Sequence, residues 1–300
     1  MFSNPRKSLI QLILILAVGL SSCGSLFGPK ATPTPVPPTD TPAPPTATPE
    51  PMAFTVNGEG VTVVEFQAEL TRYKAAQTAL GKTVSDADAS RAVMDDLIAQ
   101  VLLAQGARAA GFDVSESALQ SRVDALATQL GGADKLSLWE LGHGYTEASF
   151  RVALKRSVEA AWMRDKIIAA VPHTADQVHV QQILLYNSAD AQSVLAQLKA
   201  GADFNQMADQ YDRSQSPRGE LGWFPKGYLL DAKIENAAFN LQVGQFSDVI
   251  QTDAGFHIIK VLEHDAQHPL SPDAYLALQE LALKDWVTQQ RSQAVIVQGP

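Results

Sequence analysis

The feature that most limits what this chain can fold into is a change of hydrophobic period at Pro172, and a change back near Ser271. Before Pro172 the apolar residues recur at helical spacing. Val93, Leu97 and Val101 repeat every four residues beside Met94, Ile98 and Leu102, the broad stripe of a buried helix. Ser85 and Asp88 mark its start and Gly111 a stop. Leu119, Val123, Leu126 and Leu130 form a second stripe behind Ser115, closed by Gly131-Gly132. A third follows Thr146 through Phe150, Leu154, Val158 and Trp162, after a short segment around Leu136 to Leu141. At the near end, Phe54 to Gly58 reads as a short strand entering a turn. Thr62 and Glu65 then have capping-box spacing before Phe66, Leu70 and Tyr73. Residues 54–170 are thus a mostly helical region without a catalytic constellation.

After Pro172 the pattern shortens. Val178 to Tyr186 is apolar and β-branched over a strand-like length. Ser188 is a cap for a helix carrying Ala191, Val194, Leu195 and Leu198, and Asp203 caps a second with Phe204, Met207 and Tyr211. Gly219 to Phe224 is a turn entering a strand, and Asp231 to Phe239 a short helix. Phe246 to Gln251 and Phe256 to Glu263 read as two final strands joined at Asp253-Ala254-Gly255. This order gives a compact α+β domain. Ser271 and Pro272 then start a tail helix with Tyr275, Leu278, Ala282 and Trp286 on one side. A lone amphipathic helix is unstable in water, so its expected partner is the N-terminal helical region.

Composition excludes several functions. A net charge of −9 gives no basic face for nucleic acid. The six histidines lack metal spacing such as H-E-x-x-H, and no phosphate-binding glycine loop or G-x-S-x-G elbow occurs. The single cysteine, Cys23, forms no intramolecular disulfide. It follows Arg6, Lys7 and an apolar run from Leu9 to Leu20, which spans about 18 Å as a helix, short of a hydrocarbon core of about 30 Å. The run therefore reads as a signal peptide. Leu20-Ser21-Ser22-Cys23 resembles a bacterial lipobox, in which the cysteine becomes the lipidated first residue; the plainer alternative is a secretory signal with a chance cysteine. Pro29 to Pro51 is rich in proline and threonine, a semi-rigid spacer rather than a core.

Four pieces in order carry a resemblance over Val178 to His264. They are Gln181-Gln182-Ile183-Leu184-Leu185, Gly201-Ala202-Asp203-Phe204 through Ala208, Gly219-Glu220-Leu221-Gly222-Trp223-Phe224, and Gly255-Phe256-His257-Ile258-Ile259-Lys260. This segment resembles the parvulin family of peptidyl-prolyl cis/trans isomerases, and the helical region resembles that of PrsA- and SurA-type foldases. The resemblance implies isomerisation of X–Pro bonds without metal or organic cofactor, on unfolded or partly folded exported polypeptides that contain proline. It implies a prolyl cup at Leu221, Leu229 and Ile234, with Phe256 beside them. It puts polar site positions at Gln182, where the family has histidine, and at His257, whose role is either catalytic or structural. Asp212 or Ser214 supplies the residue after the second helix. The family's serine or threonine before the closing strand falls at Ala254, which offers no side-chain hydrogen bond.

The expected organisation is a signal peptide (1–22), a lipid-anchored linker (23–52), a helical chaperone-like domain (53–172), a parvulin domain with a small antiparallel sheet (173–265) and a C-terminal helix on the helical domain (266–300). The protein is expected on the extracytoplasmic face of the cell membrane, held by Cys23. The alternative function is a catalytically weak or inactive chaperone that binds unfolded exported polypeptides.

Overall fold

The computed structural model describes residues 50–214, 216–229 and 231–299. The signal segment, Cys23 and nearly all of the proline-threonine stretch lie outside the described residues.

The helical region begins with a hairpin. β1 (Met52–Val56) turns through Asn57 and Gly58, at φ 52° and 84°, into β2 (Glu59–Thr62). Asn-Gly suits this two-residue turn because both positions need positive φ. β7 (Ile296–Gln298) pairs antiparallel with the other edge of β1, giving the order β2-β1-β7. The helical region, expected to carry one short strand, thus holds a three-stranded sheet whose third strand comes from residues 296–298. Five helices follow: α1 (Val63–Ala79), α2 (Asp86–Ala109), α3 (Glu116–Leu130), α4 (Ala133–Gly142) and α5 (Glu147–Ala169). Thr62, Ser85, Ser115 and Thr146 cap α1, α2, α3 and α5 by accepting a hydrogen bond from the backbone N–H three residues on. Glu65 does not complete a capping box with Thr62; its carboxylate pairs with Arg156 of α5 instead.

α9 (Pro272–Gln293), capped by Ser271, packs on α2 and α5. Gly106 admits the Trp286 indole, since a methyl group there would lie 2.6 Å from the ring. Phe54, Val56, Val61, Leu97, Ile98 and Val101 are the buried centre of this lobe, each contributing about 1.5–3 kcal/mol by leaving water. Arg108 ties the hairpin to α5 by pairing with both Glu59 and the buried Glu159. Arg156 is 2% exposed, and its Nε and Nη1 have no partner among the described residues.

The remaining elements form a second lobe. They are β3 (Thr174–Leu185), α6 (Ser188–Lys199), α7 (Phe204–Tyr211), a 3₁₀ turn (Pro217–Gly219), β4 (Glu220–Pro225), α8 (Ala232–Asn240), β5 (Ile250–Thr252) and β6 (Gly255–Pro269). The sheet is antiparallel throughout, in the order β4-β3-β6-β5. Alternation along β3 and β6 separates two cores. One face carries Ile183, Leu185 and Ile258 under α6 and α7. The other carries Val178, Val180, Ile259 and Val261 with Phe224 and Ile234. Three local expectations are corrected. Asn187, not Ser188, caps α6, because its side chain accepts from the N–H groups of Ala189 and Asp190. Phe246 makes only an isolated bridge to Lys260, so β5 starts at Ile250. β6 runs on to Pro269, past the Glu263 at which the strand was expected to end.

Candidate functional site

The face of the sheet under α8 holds a connected polar chain above an apolar floor. His257 on β6 sits opposite Leu184 on β3 and Ile250 on β5. Gln182 is two residues along β3 and therefore on the same face. Gln182 and His257 are 7% and 4% exposed, and Gln182 Oε1 lies 2.8 Å from His257 Nδ1. On the other side of the ring, Nε2 lies 2.9 Å from the Thr252 hydroxyl. The amide oxygen can only accept, so Nδ1 carries the proton and Nε2 accepts from Thr252. Thr252 in turn accepts from the backbone N–H of Ala254. The chain thus runs Ala254 N–H to Thr252 hydroxyl to His257 to Gln182, with one tautomer. Burial pushes the His257 pKa down, opposed by the carboxylates of Asp231 and Asp212, so the imidazole is neutral at neutral pH.

Thr252 supplies the hydroxyl that the resemblance placed at Ala254. The sequence signal for it was the β-branched end of a strand before a turn. Its partner became visible only with the hairpin that sets Thr252 opposite Gly255.

The structure places Asp212 and Ser214 in contact with one another. β4 stops pairing with β3 at Gln181, and the chain after α7 fills the vacated edge. Arg213 N–H donates to Leu184 O, while Asp212 Oδ1 accepts from Leu184 N–H at 2.8 Å. The Ser214 hydroxyl donates to Asp212 Oδ2. The carboxylate is thereby fixed beside the sheet, where its field reaches His257. Gly219 closes the loop. It has φ 66°, and a methyl group there would lie 1.8 Å from Gln182 O, so no other residue fits.

Leu221, Leu229 and Ile234 come together on the same face, packed with Phe224 and Ile259. Leu221 is placed by a bulge: Val180 pairs with Gly222 and Gln181 with Glu220, leaving Leu221 as the extra residue. Bulges re-aim side chains in this way beside functional sites. Ile234 projects from the first turn of α8, which Asp231 caps. Phe256 is the exception. One residue before His257, it points to the opposite face and packs with the cluster of Ile183, Leu185 and Ile258. It does not join the cluster of the other three. A separate cleft beside Leu185, Tyr186 and Arg213 opens next to that opposite face.

Residues 166–265 match the PPIC-type PPIASE domain family, and residues 46–131 match the SurA-like N-terminal domain family. The chain is 37% identical over 98 residues to "Foldase protein PrsA" of a Geobacillus species, covering 32% of this chain and 35% of that protein. It is 27% identical over 182 residues to the protein of the same name from Geobacillus kaustophilus, covering 58% and 63%. The matched part thus spans less than two thirds of either relative. A crystal structure of peptidylprolyl isomerase (PrsA) from Bacillus cereus is 20% identical, with a TM-score of 0.42, over 78% of this chain and 83% of that one.

Proposed function

We propose that this chain, which carries a PPIC-type PPIase domain at residues 166–265 behind a SurA-like N-terminal domain at 46–131, isomerises X–Pro bonds in exported polypeptides and so assists their folding. The observation that carries the reading is the convergence of Leu221, Leu229 and Ile234 on the sheet face that bears His257 and Gln182. Rotation about an X–Pro bond takes tens to hundreds of seconds uncatalysed, because amide resonance sets a barrier of about 20 kcal/mol. No covalent step is needed. A site lowers the barrier by holding the prolyl ring while favouring the twisted amide over the planar one. In this reading the three apolar side chains grip the ring. Neutral His257, fixed between Gln182 and Thr252, and the Asp212–Ser214 pair set the field around the rotating amide. Glutamine at 182 keeps the hydrogen bond to His257 while removing a second titrating group, so activity does not depend on that position's charge.

The same reading places the protein outside the cytoplasmic membrane, with Cys23 as its lipid anchor. The basic Arg6-Lys7 pair, the short apolar run and the position of the cysteine support this. Several acyl chains, at about 0.8 kcal/mol per buried methylene, give stable attachment. Mass analysis of the N-terminal peptide from membranes tests it: an unmodified Cys23 removes the anchor from the proposal.

The activity is tested by a protease-coupled assay on a proline tetrapeptide, with wild type beside Leu221→Ala and His257→Ala. Turnover above the uncatalysed rate is expected for wild type, and a loss of about tenfold or more for Leu221→Ala. A folded wild type that leaves the uncatalysed rate unchanged refutes the reading.

A further inference from the structure

The apolar cluster of Leu221, Leu229 and Ile234 has one member, Leu229, on a loop, and one carboxylate of α8 accepts from three successive N–H groups of that loop. Glu235 lies on α8, next to Ile234. Its Oε1 accepts the Gly227 N–H at 2.8 Å, and its Oε2 accepts the N–H groups of Tyr228 and Leu229, both at 3.2 Å. Gly227 is at φ 83°, and three successive donors there form the concave backbone nest that suits an anion. Here the anion is the chain's own carboxylate, and its charge strengthens each bond. The loop is also braced from outside. A methyl group at Gly227 would lie 2.4 Å from Cδ2 of Leu281, on α9 of the helical lobe.

We propose that Glu235 is a positioning residue for substrate binding: it fixes the spacing between Leu229 and Ile234, the two walls between which the prolyl ring must fit. The inference rests on the isomerase reading above. Leu229 belongs to a loop with no regular structure, and loops of this kind move unless tied down. The tie comes from the residue following the opposite wall, so one turn of α8 sets both sides. Leu281 abuts the loop at Gly227. In this reading the spacing between Leu229 and Ile234 depends on the contact with α9 as well as on α8.

The test compares full-length wild type, Glu235→Gln and Glu235→Ala in the coupled proline-tetrapeptide assay across substrate concentration. Binding of the same peptide is followed by NMR titration. Glutamine keeps one acceptor oxygen and alanine none. KM and Kd are expected to rise about threefold or more in Glu235→Gln and tenfold or more in Glu235→Ala, with kcat changed less than twofold. A residue that only supports the fold would lower the active fraction and leave KM alone. Unchanged KM and Kd in folded variants overturn the proposal while the isomerase reading stands. A wild type that binds without turnover removes the isomerase reading, and the Kd ratios alone then decide the role of Glu235. A wild type that neither binds nor turns over the peptide overturns both. Loss of native circular dichroism in both variants shows a folding element and also overturns it.

Discussion

Replacing Gln182 with leucine removes the oxygen that accepts the Nδ1–H of His257 and changes the volume of the side chain little. Both residues are buried and the bond is 2.8 Å long. The imidazole then has two choices. It keeps its proton on Nδ1, where the donor faces an apolar group, or it moves the proton to Nε2, which then donates to the Thr252 hydroxyl and leaves Nδ1 as an acceptor without a donor. Either way one buried polar atom is left without a partner, which costs about 1–3 kcal/mol. Taking about 2 kcal/mol, and about 2–4 °C per kcal/mol for a folded body of this size, Tm should fall by about 4–8 °C. Thermal unfolding followed by circular dichroism at pH 7.5 measures this. A double-mutant cycle with His257→Phe isolates the bond, because in that background Gln182→Leu should cost about 1 kcal/mol less or better. A drop under about 0.5 kcal/mol, or an equal drop with and without the imidazole, refutes the reasoning and with it the fixed tautomer.

Burial lowers the His257 pKa in the fold, so the unfolded chain binds the proton more readily. The stability this gives is present above the unfolded value of about 6.5 and is lost as pH falls through the folded value. Urea midpoints at pH 7.5, 6.5 and 5.5 should show the advantage of wild type over His257→Asn shrinking with acid; an advantage that grows instead refutes the depressed pKa. Gly219→Ala should cost more than about 3 kcal/mol, since its methyl group collides with Gln182 O at a positive φ; a normal urea midpoint would show that the loop relaxes. Arg156→Met should destabilise by about 3–5 kcal/mol by stranding Glu65, whereas Arg156→Met with Glu65→Leu should match or exceed wild type by about 1–4 kcal/mol, because the buried guanidinium leaves two nitrogens unpartnered. Equal losses in the single and double variants would contradict this.

Elements fixed by short-range rules were legible in the sequence. Ser85, Ser115, Thr146 and Ser271 sit where a hydroxyl must cap a helix, and each does so. The run of helices before Pro172 and the mixture of strands and helices after it followed from hydrophobic period. What escaped depended on register or on distant pairing. Phe256 and His257 are neighbours in sequence, yet a period of two sends them to opposite cores. Leu221 joins the cluster of Leu229 and Ile234 through a bulge, a two-against-one match of strands that no single strand displays. Thr252 was passed over because its hydroxyl acts across a hairpin. Glu235 sits in an ordinary helical pattern, and its three donors belong to a loop preceding the helix.

The pairing of β7 with β1 and the seat of α9 on α2 and α5 impose an order on assembly. A chain threaded outward from its N-terminus presents Phe54 and Val56 long before Ile296 exists to cover them. Meanwhile every strand and helix between Thr174 and Pro269 can find its neighbours inside that same stretch. The inserted lobe can therefore be finished while the lobe that surrounds it still waits for its last strand.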